Sequence, residues 1–432
     1  MAKREHFGGR AAVIMALAGS AIGLGNIWRF PYLVGQNGGA AFIVIYIFFT
    51  LVLSLPIFLA ESVIGRSSGA NCRAAIGSLV PGRAGRWFGL LMVITPLWIV
   101  SYYSVVGGWS MEYLWQAFRP EFTPFEVFIA HPWAPALLHL LFLAITVIIV
   151  AFGVKSGIEK FSKVSIPLLF VLIVLLAAYS VSLPGAREGI RYLVVPDFSQ
   201  VTVHTFLDAL GQSFYSLSLG MGIIITYSSY VSKQENLVVS AVGTSISDLL
   251  FAYLAGFAIL PAVFALGIAP GSGPGLVFDT LPYIFTSMAE HAPLMSAVAA
   301  VLFFLAILIA ALTSSISLIE VGVAYLTEAR GLKRGWACVL LFVVCGAFGV
   351  LCSVFPDVFA FADSFASNIL LLLGGVLAVI LVGWVIPRKK LFVELTNGGT
   401  LRNNVKLFPL VYFLIRYVAP IGILVLTISQ AL

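Results

Sequence analysis

The chain has 432 residues, 61% of them apolar and only 10% charged, with a net charge of +6 and a mean hydropathy of +1.07. A soluble domain needs about a quarter of its residues charged to clothe its surface, which excludes soluble enzymes, secreted modules and disordered scaffolds. Unbroken apolar runs such as 137–150 and 168–178 exclude the alternating pattern of a membrane barrel and leave an all-α membrane protein embedded in a lipid bilayer.

Breaks at charges, glycines and prolines predict eleven spans, near 11–36, 40–64, 87–118, 135–153, 161–181, 206–232, 237–267, 294–327, 336–354, 358–386 and 407–429. Residues 1–10 are basic, and the apolar sequence runs on past Ala18 to Tyr32, so they read as a cytoplasmic segment before a retained first span rather than a signal peptide. Residues 11–181 hold five spans, 182–205 form an external loop, 206–386 hold five more spans, 387–406 form a cytoplasmic loop, and 407–432 contain the eleventh span. Lys3, Arg4, Arg10, Arg66, Arg73 and most other basic residues through Lys406 then fall on one side, against Arg119, Arg187 and Arg191 on the other. That asymmetry places the N-terminus in the cytoplasm and the C-terminus outside a cell membrane. No twelfth span follows, so no oligomer contact through one is assumed. Cys338, Cys345 and Cys352 share one face of span nine and read as packing residues. The positive charge sits at span ends and not in a nucleic-acid-binding patch.

Five is odd, so the second block of spans lies upside down relative to the first: a 5+5 inverted repeat. The first span of each block is interrupted, by Gly19-Ser20-Ala21-Ile22-Gly23-Leu24-Gly25-Asn26 and by Ser216-Leu217-Ser218-Leu219-Gly220-Met221-Gly222. Small residues also permit close helix packing, but broken helices at matching positions of inverted halves point to a transporter's binding site. Ionisable groups inside spans are costly, and Arg29, Glu61, Asp248, Glu320 and Asp363 are all so placed. Arg29, Asp363 and Gln212 suit the outer mouth of a site, and Glu61 suits bracing of the breaks. Asp248, beside Ser245 and Ser247, is either protonated or holds a cation. Thr313-Ser314-Ser315 in span eight add hydroxyls, and with carbonyls freed at a break they make a ligand set for a hard cation such as sodium. Exposed helix N-termini suit a carboxylate. Tyr102-Tyr103 and Phe214-Tyr215 are either packing residues or a lid. The residues alone therefore indicate ion-coupled uptake of a small carboxylate-bearing solute.

The run Gly19 to Tyr32, followed by Asn37-Gly38-Gly39, resembles the signature of the neurotransmitter:sodium symporter family, as do Ser218 to Gly222, Thr313-Ser314-Ser315 and Arg416 to Pro420. The resemblance runs the length of the chain and implies the leucine-transporter fold. It also implies two sodium sites. The first takes the Ala21 carbonyl, Asn26, Ser216, Asp248 and the substrate carboxylate. The second takes carbonyls of Gly19, Ile22 and Ala310 with the Thr313 and Ser314 hydroxyls. Substrate is expected against Ala21, Leu24, Gly25, Ile99, Tyr103, Tyr215, Ser218, Met221 and Ser314. Arg29, Asp363 and Gln212 are expected as the outer gate, and Arg4, Glu328, Ser229 and Tyr230 as the inner one. Gly157 and Pro167 match a spacing tied in this family to unwinding of span five.

The departures are informative. Amine carriers of the family have Asp where this chain has Gly23, which favours a free amino acid over an amine or other small zwitterion. Asp248 stands where many relatives have Asn, and Ala252 where chloride-dependent members have Ser, which implies independence of chloride. Met221 replaces a bulkier aromatic, leaving room for a hydrophobic or aromatic side chain such as tryptophan or leucine. Neither a channel filter of the Thr-Val-Gly-Tyr-Gly type nor a His-Glu-x-x-His or Gly-x-Ser-x-Gly motif is present, so channel and enzyme readings are weaker.

Overall fold

In the computed structural model, residues 5–119, 121–267, 277–290 and 292–431 are described, and every regular element among them is helical. Arg4, the expected inner-gate cation, lies outside the described residues. Nine of the described helices are long and apolar enough to cross a bilayer: Ala40–Ser68, Arg83–Gln116, Ala134–Ala151, Val154–Ser182, Leu237–Ala265, Pro293–Arg330, Arg334–Val354, Pro356–Val385 and Arg402–Ser429. They correspond in order to expected spans two to five and seven to eleven. Span one is a tenth, broken one: Arg10–Ala21 and Gly25–Gln36 meet at 59°. The sixth expected span is divided more widely, into Val203–Ser216 and Ile223–Ser228.

Several helices outrun their apolar stretches. Span three starts at Arg83, span eight reaches Arg330 and the last begins at Arg402. Helix hydrogen bonding continues past the hydrocarbon where hydropathy stops. The two expected loops are corrected in the same way. Residues 182–205 contain the helix Arg187–Val194, and 387–406 contain Arg388–Thr396. Each docks a short side on the bundle, Leu193 and Gly189 in one, Leu391 and Leu395 in the other. Helices this short owe their stability to such docking rather than to their own propensity. Cys72–Leu79 forms a further helix between spans two and three, started by Asn71, whose side chain accepts from the Ala74 N–H. Span five is wound throughout from Val154, with Gly157 packed against the Ile149 carbonyl and Pro167 inside the helix.

The packing has an internal exchange symmetry. Span one lies on span seven as span six lies on span two, and span four lies on span eight as span nine lies on span three. Swapping each span with the one five places along converts each pair into the other. Spans one and six thus run through the middle of the bundle, with their breaks side by side.

Candidate functional site

The two breaks are tied to each other and to their neighbours by the groups that the interruptions free. Ser218, at φ +54°, donates its hydroxyl to the Ser20 carbonyl at 2.7 Å, joining one break to the other. Gly220 and Gly222 also lie at positive φ, +75° and +70°, where a side chain would be strained. Gly220 packs directly on the backbone of span ten at Leu371 and Gly374, so no side chain fits there. Its N–H donates to Glu61 Oε1 at 2.7 Å. The Gly222 carbonyl accepts from Thr226 at 2.9 Å and from Cys72 Sγ at 3.0 Å. Irregular backbone at this depth persists only where such partners replace water.

Beside the breaks lies a polar knot around Asp248, which is fully buried. Its carboxylate accepts from Asn26 Nδ2 at 2.7 Å, from Ser216 Oγ at 2.9 and 2.8 Å, and from the Tyr46 hydroxyl at 3.3 Å. Asn26 Oδ1 in turn accepts from the Gly23 N–H at 3.0 Å, fixing the turn of the break. Asn26, Ser216 and Asp248, the side chains expected around a first cation, are thus in mutual contact. Tyr46 joins them without having been singled out in the sequence.

The second expected set also converges. Thr313 Oγ1 lies 3.4 Å and Ser314 Oγ 3.5 Å from the Ile22 carbonyl, and Thr313 Oγ1 also reaches the Ala310 carbonyl at 2.9 Å. Gly19 backs onto Thr313 and the Ser162 hydroxyl, with about van der Waals clearance for a methyl group.

Between the two sets is a narrow cavity of about 30 Å³. All nine residues expected at the substrate line it, together with Ser20, Gly23, Asn26, Ser216, Ile223 and Leu318. The Tyr103 hydroxyl accepts from the Leu24 N–H at 3.3 Å. A Cβ on Gly23 would stand 2.6 Å from Ser314 Oγ and 3.2 Å from the Tyr103 hydroxyl, and one on Gly25 would stand 3.1 Å from the Tyr215 ring. A side chain at either glycine would therefore have to displace the hydroxyls or the ring that line the cavity.

Leu24, Gly25, Tyr103 and Tyr215 also form the floor of a larger vestibule of about 410 Å³. Arg29, Asp363, Tyr102, Trp28 and Phe359 line its walls. No ion pair joins Arg29 to Asp363; the guanidinium lies 5.2 Å over the Tyr215 ring. Gln212 sits beneath, donating to the Gly25 carbonyl at 3.3 Å.

The opposite end is shut. Phe7 is buried edge-on against Tyr227 and Tyr230, and its N–H donates to the Tyr230 carbonyl at 3.2 Å. Glu5 accepts from the N–H groups of Val154 and Lys155 at 2.7 and 3.0 Å, and Glu159 accepts from that of Gly8 at 2.9 Å. The Tyr230 hydroxyl donates to Glu320 at 2.7 Å, and Arg334 pairs with the same carboxylate. Ser229 donates to the Thr226 carbonyl. Glu328 accepts from the N–H and side chain of Asn71 at 2.8 and 3.0 Å. The ion pair of Glu320 with Arg334 was not foreseen. The intramembrane glutamate was the only signal for it, because its partner is fourteen residues away at the start of the next helix.

Comparison with known proteins agrees with this geometry. The family model described as "Sodium:neurotransmitter symporter family" matches residues 4–134 and 134–432. The uncharacterized sodium-dependent transporter YhdH of Bacillus subtilis is 36% identical, over 99% of this chain and 98% of its own. An uncharacterized sodium-dependent transporter of Haemophilus influenzae is 35% identical over the same shares. The crystal structure of MhsT in complex with L-phenylalanine is 39% identical and superposes with a TM-score of 0.88, covering 99% of this chain and 100% of that one.

Proposed function

The chain belongs to the sodium:neurotransmitter symporter family, as a sodium-dependent membrane transporter and not an enzyme, and from that premise we propose that it carries a free hydrophobic or aromatic amino acid into the cell. The observation that supports this substrate is the cavity at the breaks. Its wall combines apolar Leu24, Ile99, Met221 and Ile223 with the hydroxyls of Tyr103, Ser218 and Ser314. Gly23 presents no carboxylate to pair with an amine lacking its own, and the Ser314 and Tyr103 hydroxyls crowd the position. The ligand of MhsT, L-phenylalanine, has the chemistry such a wall would take.

In this mechanism the substrate carboxylate lies at the helix end by Gly25, beside the Tyr103 hydroxyl, where the positive end of the helix favours an anion. One sodium ion sits between that carboxylate and the Asn26, Ser216 and Asp248 side chains, with the Ala21 carbonyl. To serve it, Asn26 turns its oxygen toward the ion, in place of the present Nδ2 bond to Asp248. The second sodium takes the carbonyls of Gly19, Ile22 and Ala310 with the Thr313 and Ser314 hydroxyls, bridging span one to span eight. Loss of this ion releases the inner half of span one. Tyr103 and Tyr215, shared by cavity and vestibule, close over the substrate, and Arg29 then leaves the Tyr215 ring for Asp363. The fixed negative charge of Asp248 makes chloride unnecessary, and buried Ala252 offers no hydroxyl to hold it. The basic residues put the N-terminus in the cytoplasm and the C-terminus outside.

The test is uptake of labelled tryptophan, phenylalanine and leucine into proteoliposomes under an inward sodium gradient, then with potassium for sodium and gluconate for chloride. Saturable uptake that needs sodium and ignores chloride is expected. Uptake of none of the three amino acids, or steep chloride dependence at fixed sodium, would overturn this reading.

A further inference from the structure

We propose that the groove between spans ten and eleven, on the side of the basic linker 387–406, binds the phosphate of an anionic phospholipid through Arg416 and Arg388. Both helices carry a π-helical turn there, Leu381–Val385 in span ten and Leu414–Val418 in span eleven, and the two turns pack against each other. Gly383 allows the contact, since a Cβ on it would lie 3.0 Å from the Arg416 Cα. The Trp384 indole N–H donates to the Arg416 carbonyl at 3.3 Å. Single π turns of this kind recur at functional sites.

The pairing sets Arg416 in a cage of rings. Its guanidinium lies 4.3 Å from the Trp384 centroid and 5.7 Å from those of Tyr412 and Tyr417, and Nη1 donates to the Tyr412 hydroxyl. Nε is enclosed with no partner. Arg388 approaches the same Tyr412 ring at 5.0 Å and Phe408 at 5.8 Å. Two cations thus share one tyrosine. Among the described residues no carboxylate pairs with either. Glu394, the acid of the linker, is taken by Arg66 at 2.8 Å and Lys233 at 2.7 Å.

Arg416 lies near the middle of the 28-residue helix Arg402–Ser429, roughly 15 Å along it from Lys406. A charge at that depth is costly unless it is paired or reaches the interface. Trp384, Phe413 and Tyr417 around it are exposed on the outside of the bundle. The guanidinium reaches back one turn to the Tyr412 hydroxyl, toward Arg388 and the linker, and there a lipid phosphate would supply the missing counter-charge. A guanidinium fork matches phosphate oxygens bidentately, and the exposed rings lie where acyl chains would follow. Phosphatidylcholine carries its own cation and satisfies the pair less well. Assignment to the inner leaflet rests on the orientation proposed above; the binding itself does not.

The experiment is native mass spectrometry of the delipidated full-length protein titrated with phosphatidylglycerol or phosphatidylcholine. The native chain should retain phosphatidylglycerol about tenfold more tightly than phosphatidylcholine. Arg416→Gln should bring phosphatidylglycerol to the phosphatidylcholine level, Arg388→Gln should cost about threefold, and Lys390→Gln should stay within twofold. Should Arg416→Gln fail to fold, Arg416→Lys, which keeps the charge and loses the fork, is expected to fall between it and the native chain. Equal retention of the two lipids by the native chain overturns the proposal, as does unchanged phosphatidylglycerol binding in the Arg388 and Arg416 variants. Displacement of the lipid by millimolar inorganic phosphate would make a free anion the ligand and overturn it too.

Discussion

At the scale of single residues, Asp248 gathers more of the site's polar chemistry than any neighbour, because three donors from three different helices end on one buried carboxylate. Bonds to an ionised acceptor are worth roughly 1.5–3 kcal/mol each, and removing the acceptor strands the donors as well. Asp248→Ala should therefore weaken sodium-dependent substrate binding by at least ~30-fold, about 2 kcal/mol. Tyr46→Phe removes only the 3.3 Å bond and should cost ~1 kcal/mol or less. Sodium titrations of amino-acid binding by the two purified variants provide the measurement; equal affinities in native and Ala proteins would remove Asp248 from the ion site. Tyr46 also shows why this part of the site was hidden. It lies in the apolar run Ala40–Phe49, where one hydroxyl among aliphatic and aromatic residues has no local pattern to mark it. Asn26 and Ser216 were legible because they stand in glycine-rich interruptions, and Thr313 and Ser314 because adjacent hydroxyls cluster in the middle of an apolar span, where polar groups have no place unless backbone or ion needs them.

At the scale of elements, the broken helices are held open by side chains from helices that are themselves continuous. Span two supplies Glu61, with one oxygen on the Gly220 N–H and the other without a hydrogen-bond partner. Glu61→Ala leaves that N–H buried and unsatisfied, at about 1–3 kcal/mol. It should lower the thermal midpoint and weaken substrate binding together, whereas Glu61→Gln, which keeps an acceptor of the same reach, should restore most of both. Thermal unfolding in detergent with and without sodium reads this directly; an Ala variant as stable as the native chain would assign the brace elsewhere. The spans themselves were visible in the sequence because each buries or exposes an apolar stretch about as long as a bilayer is thick. The short helices Cys72–Leu79, Arg187–Val194 and Arg388–Thr396 were not. Their few apolar residues acquire meaning only from the bundle they rest on, and the charges of Arg388–Thr396 imitate a loop. The lengths of spans three, eight and eleven were underestimated for the related reason that a helix end in water is polar.

At the scale of the whole molecule, one end holds a vestibule of about 410 Å³ down to Tyr103 and Tyr215, and the other is packed shut by residues 5–8. The closure rests on contacts of Phe7 with the second half of span six and of Glu5 and Gly8 with the start of span five. In the proposed mechanism, opening of this end must separate them. Phe7 makes two edge-to-face ring pairs, at 5.8 and 6.0 Å, each worth about 0.5–1.5 kcal/mol beyond its buried area. Phe7→Ala should thus favour the inward-open arrangement by about 1–3 kcal/mol, a rise of roughly 5- to 150-fold in its equilibrium constant. Cys72 is a native reporter of this change. It is fully buried, with its thiol on the Gly222 carbonyl at 3.0 Å, behind the seal and against the inner half of span six. With Cys338, Cys345 and Cys352 replaced by alanine, the Phe7→Ala protein should react with a water-soluble maleimide at Cys72 several-fold faster than the same protein with Phe7. Saturating sodium should slow both, because the ion proposed between span one and span eight would favour the closed arrangement of this end. Equal labelling rates with and without Phe7 would mean that the seal is carried by the Glu320, Arg334 and Tyr230 cluster, and the same assay on Tyr230→Phe would then show the increase.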